Sequence, residues 1–188
     1  SQFDDQPRLL GQSLNLQSTF QANVSVAHGT YGNLILSRWP VGSAHRVSLK
    51  RGIRKARGAQ LVHVETPEGV IHLVNTHLGL DERERHWQVA FLLEHQLFQS
   101  SATIPTVIAG DFNDWRNTLA EKSLSRYGFQ QITSPPSEYR SFPSWLPIGG
   151  LDKIFVRGGL KTNRVRVVRT SLARVASDHL PIVVDFSL

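Results

Sequence analysis

TVIAGDFND, residues 106–114, is the stretch on which the reading turns. Thr106-Val107-Ile108-Ala109 is a short apolar run with β-branched residues, the pattern of a buried strand. It stops in Gly110-Asp111-Phe112-Asn113-Asp114. A strand ending this way delivers oxygen-bearing side chains to one edge of a sheet. Asp111 and Asn113 are two apart, so an extended backbone points them the same way. A carboxylate beside a neutral amide suits a hard cation and a phosphate, because the first carries charge or a proton and the second holds an atom without adding charge. Asp114 reads as a cap for the turn that follows.

Three other stretches have the same build. Val74-Asn75-Thr76-His77-Leu78 ends an apolar run, Leu151-Asp152-Lys153-Ile154-Phe155-Val156 opens one, and Ser177-Asp178-His179-Leu180-Pro181 precedes Ile182-Val183-Val184-Asp185-Phe186. Each places His, Asp or Asn at a strand end, and strand ends on one rim of a sheet can meet despite their separation in sequence. The rest of the chain supplies the layers. Residues 5–16 read as a short helix and 32–37 as a strand. Residues 59–65 and 70–75 form a hairpin about Thr66-Pro67-Glu68-Gly69. Residues 81–98 read as the clearest helix, with Trp87, Ala90, Phe91, Leu93, Leu97 and Phe98 as its apolar stripe. Residues 119–127 form a short helix, 134–150 a Pro/Ser/Gly loop, and three strands finish the chain. Alternating strands and helices without repeats or a linker predict one α/β (α+β) layered domain over 1–188.

Composition narrows the chemistry. The 188 residues are 40% hydrophobic and 19% charged and include no cysteine, which excludes disulfides, thiolate metal sites and a cysteine nucleophile. Lys plus Arg number 21 against 15 Asp plus Glu, a net charge of +6. The excess gathers in Arg46, Lys50, Arg51, Arg54, Lys55 and Arg57, and in Arg157, Lys161, Arg164, Arg166, Arg169 and Arg174. A basic face suits nucleic acid, anionic lipid or another polyanion, or it is simply solvated. No interleaved aromatics mark a platform for stacking single strands.

The ordered set Gly32-Asn33-x-Ile35-Leu36-Ser37-Arg38, Asn75-Thr76-His77-Leu78, Gly110-Asp111-Phe112-Asn113-Asp114, Leu151-Asp152-x-Ile154-Phe155-Val156 and Ser177-Asp178-His179-x-Pro181 resembles the endonuclease/exonuclease/phosphatase superfamily. DNase I, exonuclease III-type repair nucleases, neutral sphingomyelinases and inositol polyphosphate 5-phosphatases belong to it. The nearest resemblance is to small bacterial members with a Thr-Phe-Pro-type loop, here Ser141-Phe142-Pro143-Ser144-Trp145. The resemblance implies a four-layer α/β/β/α sandwich of the DNase I-like type with its site at one end. It also implies that the family's first strands, with the Gln-Glu metal motif, are missing here, since no Glu precedes Glu65 and Asp4-Asp5-Gln6 matches the segment just downstream of them. Unpaired sheet edges are then expected.

The resemblance also assigns roles. His179 is the general base, since imidazole titrates near neutral pH. Asp152 orients it and stabilises its cation. Asp111 handles protons at the attacking or leaving oxygen, Asn113 holds the phosphate or the nucleophile, and His77 contacts the scissile phosphate or acts as an acid. Asp178 is a metal-side carboxylate, and Arg57 and Asn33 are substrate-binding candidates. His28, His45, His63, His72, His86 and His95 match no motif and read as structural or surface residues. Phe142 and Trp145 form a lip facing the substrate or pack over the core. The implied activity is Mg²⁺-dependent (or Mn²⁺-dependent) hydrolysis of a phosphodiester by direct water attack. Nucleic acid is favoured over a lipid or phosphoinositide headgroup, which is the alternative substrate. A catalytically impaired fragment is the alternative of another class. A monomer without membrane spans is expected, cytoplasmic first, with the periplasm or secretion left open.

Overall fold

A computed structural model describes residues 5–27 and 29–188; the readings of Asp4 and His28 lie outside them. In chain order the elements are α1 (Gln6–Leu14), β1 (Gln17–Val26), β2 (Gly29–Ser37), β3 (Val41–Ser48), β4 (Gly58–Thr66), β5 (Gly69–His77), α2 (Glu82–Glu94), α3 (Gln96–Gln99), β6 (Thr106–Asp111), α4 (Thr118–Lys122), β7 (Gln130–Gln131), β8 (Asp152–Arg157), β9 (Lys161–Val167), α5 (Ser171–Ala176) and β10 (Ile182–Ser187). A six-stranded mixed sheet in the order β3-β4-β5-β6-β8-β7 is the spine, with β5 and β6 parallel and its other pairs antiparallel.

Strand alternation gives that sheet two different faces. One face turns Leu61, Val74, Ile108 and Phe155 toward Val89, Leu92 and Leu93 of α2, Phe98 of α3 and Leu119 of α4, and these make the larger core. The other turns Val62, Val64, Ile71, Val107 and Val156 toward Ile35 of β2 and Phe186 of β10. The second β layer is therefore two separate two-stranded sheets, β1–β2 and β9–β10. An apolar trough lined by Ile35, Leu73, Val184, Phe186 and Leu188 runs between them. α1 rests against β1. This is the layered sandwich predicted, with few helices.

Several local readings need correction. Residues 17–26 and 41–48 are strands that the sequence did not announce, because their polar residues hide the alternation; each is held by antiparallel pairing, with β2 and β4 respectively. The helix read over 81–98 breaks at His95, whose backbone is extended (ψ 136°) and whose ring Nδ1 accepts from Leu97 N at 3.2 Å. Its buried face is Glu84, Arg85, Gln88, Val89, Leu92 and Leu93. Trp87 and Phe91 instead stack on each other at 5.1 Å, with the Arg51 guanidinium over Trp87. Its N-terminus is capped by Asp81, whose Oδ1 accepts from Glu84 N at 2.9 Å.

Register places the chemistry. His77 lies opposite Asp111 across the β5–β6 pair, and Asp111 lies opposite Asp152 across β6–β8. Three motif residues thus stand in a row at one end of three adjacent strands. Gly110 permits it. Its φ is +145°, and a Cβ there would sit 1.8 Å from Thr76 O on the neighbouring strand.

Candidate active site

The fourth motif closes onto this row through a loop. Leu180 N donates to Ser141 O at 2.8 Å and Ser144 N donates to Asp178 O at 2.7 Å. This lays residues 177–180 along the loop that precedes β8. His179 Nδ1 then meets Asp152 Oδ2 at 2.7 Å. With its Nδ1 proton given to the carboxylate, a neutral His179 carries its lone pair on Nε2, the form a base requires. The Asp152 bond, together with the nearby carboxylates, raises the His179 pKa above its ordinary 6.5 against the pull of partial burial.

Asp152 Oδ2 also accepts from the hydroxyl of Ser141, which is fully buried. The Phe142 ring lies 4.8 Å from that of His179, and Trp115 meets Phe142 edge-on at 6.1 Å. Ser141 was not picked out by sequence reasoning, although the Ser141-Phe142-Pro143 run was visible. The signal was a hydroxyl in a loop whose neighbours already carried the family pattern.

His77 and Asp111 form the second pair. His77 Nε2 stands 3.4 Å from Asp111 Oδ2, too long for a strong hydrogen bond. Burial, followed by the positive charges of Arg57, His179 and Lys55, holds His77 down to about 4. The contact is therefore between a neutral imidazole and a carboxyl group, not an ion pair. In the free site His77 is no acid at neutral pH, but its ring N–H can donate to a phosphate oxygen. Burial raises the pKa of Asp111, opposed by the bond Asp111 Oδ1 accepts from Asn113 N at 2.8 Å.

That bond is an Asx-type turn, and Asn113 has φ +50°. The expectation that Asp111 and Asn113 share a face through extended backbone does not hold, because the strand ends at Asp111. Asn113 reaches the same rim by a turn, and its Nδ2 donates to Leu78 O at 2.9 Å. Asp114 is a cap, as read: its two oxygens accept from Leu119 N at 2.9 Å and Thr118 Oγ1 at 3.3 Å.

Arg57 is the cation of the site. It is 7% exposed, its Nε has no hydrogen-bond partner, and its charge acts on both His77 and Asp111. A buried N–H donor left unmatched is costly, and Arg85 Nε and Arg157 Nη2 are left the same way. Asn33 is committed elsewhere: its Nδ2 donates to Gly58 O at 2.9 Å and Asn75 O at 3.2 Å, tying β2 to β4 and β5. Lys153, beside Asp152 but buried on the helix side of the sheet, donates to Gly150 O at 2.9 Å, and burial lowers it to about 8.

No three His, Asp or Glu side chains among the described residues converge as a metal cage. The donors at hand are oxygens, which suit Mg²⁺ over softer ions. Asp178 is the least committed: exposed, with only a 3.4 Å contact from Ser177 Oγ at its carboxylate. This set fits an ion that takes one or two carboxylates and completes its shell with water and substrate oxygens. The apolar trough of the second β layer is lined by none of these residues.

Paired histidines and carboxylates thus stand together at one end of an α/β sandwich, within reach of the Arg57 charge. A profile of the Endonuclease/Exonuclease/phosphatase family matches residues 2–179, and the chain belongs to that family. Its members are hydrolases of phosphoesters and generally use divalent metals.

Among curated proteins the chain is 28% identical over 172 residues to YbhP of Escherichia coli (strain K12), covering 88% of this chain and 66% of that one. It is 33% identical over 138 residues to a UPF0294 protein of Vibrio cholerae, covering 72% and 43%. The chain thus spans two thirds or less of the length of these relatives. Among solved structures, an endonuclease/exonuclease/phosphatase from Bacteroides vulgatus superposes with a TM-score of 0.78 at 17% identity, covering 99% of this chain and 82% of that one. The mannosyl-6-phosphatase of Bacteroides thetaiotaomicron gives 0.76 at 16%, covering 97% and 81%. TDP2 of D. rerio, complexed with a single-strand DNA product, gives 0.70 at 14%, covering 96% and 80%.

Proposed function

We propose that the chain hydrolyses a phosphodiester by direct attack of water on phosphorus, without a covalent intermediate. The observation that carries this reading is the row of His77, Asp111 and Asp152 at one end of three adjacent strands, with His179 bonded to Asp152 and the charge of Arg57 acting on His77 and Asp111. Nε2 of His179 takes the proton of the attacking water while Asp152 stabilises the resulting imidazolium. The negative charge that spreads over the equatorial oxygens meets the Arg57 guanidinium and the neutral N–H of His77. Asn113 holds the rim through Leu78 and Asp111. Asp111, whose pKa burial raises against the bond from Asn113 N, stands beside the pair to handle the proton at the leaving oxygen.

Asp178 would hold a Mg²⁺ or Mn²⁺ ion, and such an ion would supply charge neutralisation at the phosphoryl oxygens. The chain's own groups do the rest. Both basic clusters favour a polyanion, and what flanks the phosphorus decides between a polynucleotide and a lipid.

Release of p-nitrophenol from bis(p-nitrophenyl) phosphate tests the chemistry. Turnover that rises with added Mg²⁺ and vanishes in chelator or in His179→Ala is expected. Full activity in His179→Ala would remove the assigned base, and no turnover with any divalent ion would leave the reading of an impaired fragment.

A further inference from the structure

Beside His179 the surface is unusually apolar. Trp115, Trp145, Leu146, Ile148, Leu172 and Val175 are 56–81% exposed. Five of them come from the loop before β8 or from α5, and these two segments are clasped together. Ser144 Oγ donates to Arg174 O at 3.0 Å, and Arg174 Nη1 donates to Trp145 O at 3.2 Å. Trp115 joins the patch through Phe142, which itself lies against His179. Single exposed hydrophobic residues are ordinary. Large ones gathered around one end of a site mark a binding surface.

The composition selects the occupant. Four of the six side chains are aliphatic and offer nothing for a nucleobase to stack on. Tryptophan beside Leu, Ile and Val is the mixture found where protein meets the boundary between lipid headgroups and acyl chains. Arg140, Arg169 and Arg174 are exposed in or next to the same segments and complement anionic headgroups. Trp145 thus belongs to an apolar lip, while Phe142 packs inward on the base.

We propose that this lip seats the site on an anionic lipid surface, so that the phosphodiester offered to His179 and Asp152 is that of a phospholipid headgroup. The substrate half of this statement rests on the phosphodiesterase reading above; the docking half does not.

The test reads docking without turnover. The protein, in chelator, is sedimented with vesicles of phosphatidylcholine containing phosphatidylglycerol, and tryptophan emission is recorded. Expected are co-sedimentation that persists in high salt and a blue shift of the emission. Binding should weaken about tenfold in the double variant Trp145→Ser, Leu172→Ser. Both side chains are exposed, so an unchanged thermal midpoint and unchanged hydrolysis of a soluble diester should accompany that loss. Absence from the vesicle pellet at millimolar lipid overturns the proposal, as does a double variant that binds like the parent. Displacement from vesicles by a single-stranded oligonucleotide that quenches the tryptophans overturns it in favour of nucleic acid. Vesicle binding without hydrolysis of any diester sinks the phosphodiesterase reading and leaves docking standing; hydrolysis of a soluble diester without vesicle binding does the reverse.

Discussion

Strand β5 carries two histidines five residues apart, both held near 4, in opposite settings. His72 is 1% exposed. Its ring lies edge-on to His63 at 5.2 Å and 5.5 Å from Phe98, and its Nε2 has no partner. His77 stands at the open end of the same strand among Asp111, Arg57 and His179. A lowered pKa therefore does not mark a site here, because burial is the leading cause in both. Company marks it: carboxyl groups within reach and access to solvent, since an arginine with an unpartnered donor stands by each histidine, Arg57 by His77 and Arg157 by His72. His72 has only rings, a distant Thr106 hydroxyl and the positive charge of Arg157 around it.

The sharpest way to break this contrast is to remove one histidine from each setting. His179→Ala should lower kcat by roughly 10²–10⁴-fold, the worth of a positioned base, with little change in thermal midpoint. His72→Leu should leave kcat within about twofold, since an apolar replacement of similar volume is well tolerated in a core. A steady-state assay on a soluble diester separates them, and loss of catalysis in a folded His72→Leu protein would end the distinction.

Gly110→Ala comes next, because it attacks the row of residues that sets His77 apart. The new methyl would meet the Thr76 carbonyl and force an L-residue to φ +145°. A loss of about 3 kcal/mol or more in urea unfolding is expected. Unchanged stability would mean that β5 and β6 can separate there and that the register does not fix the rim.

A smaller effect comes from acid. His72 binds its proton less readily folded than unfolded, where its value is 6.5. Its share of stability is thus whole above pH 6.5 and drains away as pH falls toward 4. Between pH 7 and 4.5 that is about 2 kcal/mol. His77 pulls in the same direction but is more exposed. Unfolding free energies from urea melts at the two pH values should draw closer in His72→Leu by that amount, and an unchanged gap would assign the acid lability elsewhere.

How much of this contrast could be seen in the residues alone follows from where the partners lie. Gly110-Asp111-Phe112-Asn113-Asp114 after an apolar run is a local pattern, and it announced both the strand and its polar end. The β4–β5 hairpin was equally local. The buried face of α2 was not legible, because Glu84, Arg85 and Gln88 are buried against groups far off in sequence. Arg54 meets Glu84 at 3.1 Å, Arg85 lies 3.9 Å from Asp114, and Gln88 Nε2 donates to Leu49 O at 3.1 Å. Strand β1 was hidden for the same reason, its Thr19 carbonyl being taken by Gln60 Nε2 at 2.7 Å. At the site, residue types were readable, but the empty bonding position on Arg57 and the shared oxygen of Asp152 exist only once the chain has folded.

That shared oxygen gives the finest test. Ser141 touches no reacting atom, and its hydroxyl draws charge from the Asp152 oxygen that also holds His179 Nδ1. In Ser141→Ala, Asp152 becomes the better acceptor, so the imidazolium of His179 is stabilised further. His179 must be unprotonated to accept a proton from water, so the rising limb of kcat against pH should move upward, by less than about one unit. At neutral pH kcat should fall about tenfold through this shift and a loosened imidazole. Ser141→Thr, which keeps the hydroxyl, should restore both the rate and the midpoint. A uniform fall at every pH with a fixed midpoint would show that Ser141 merely fills space beneath the base.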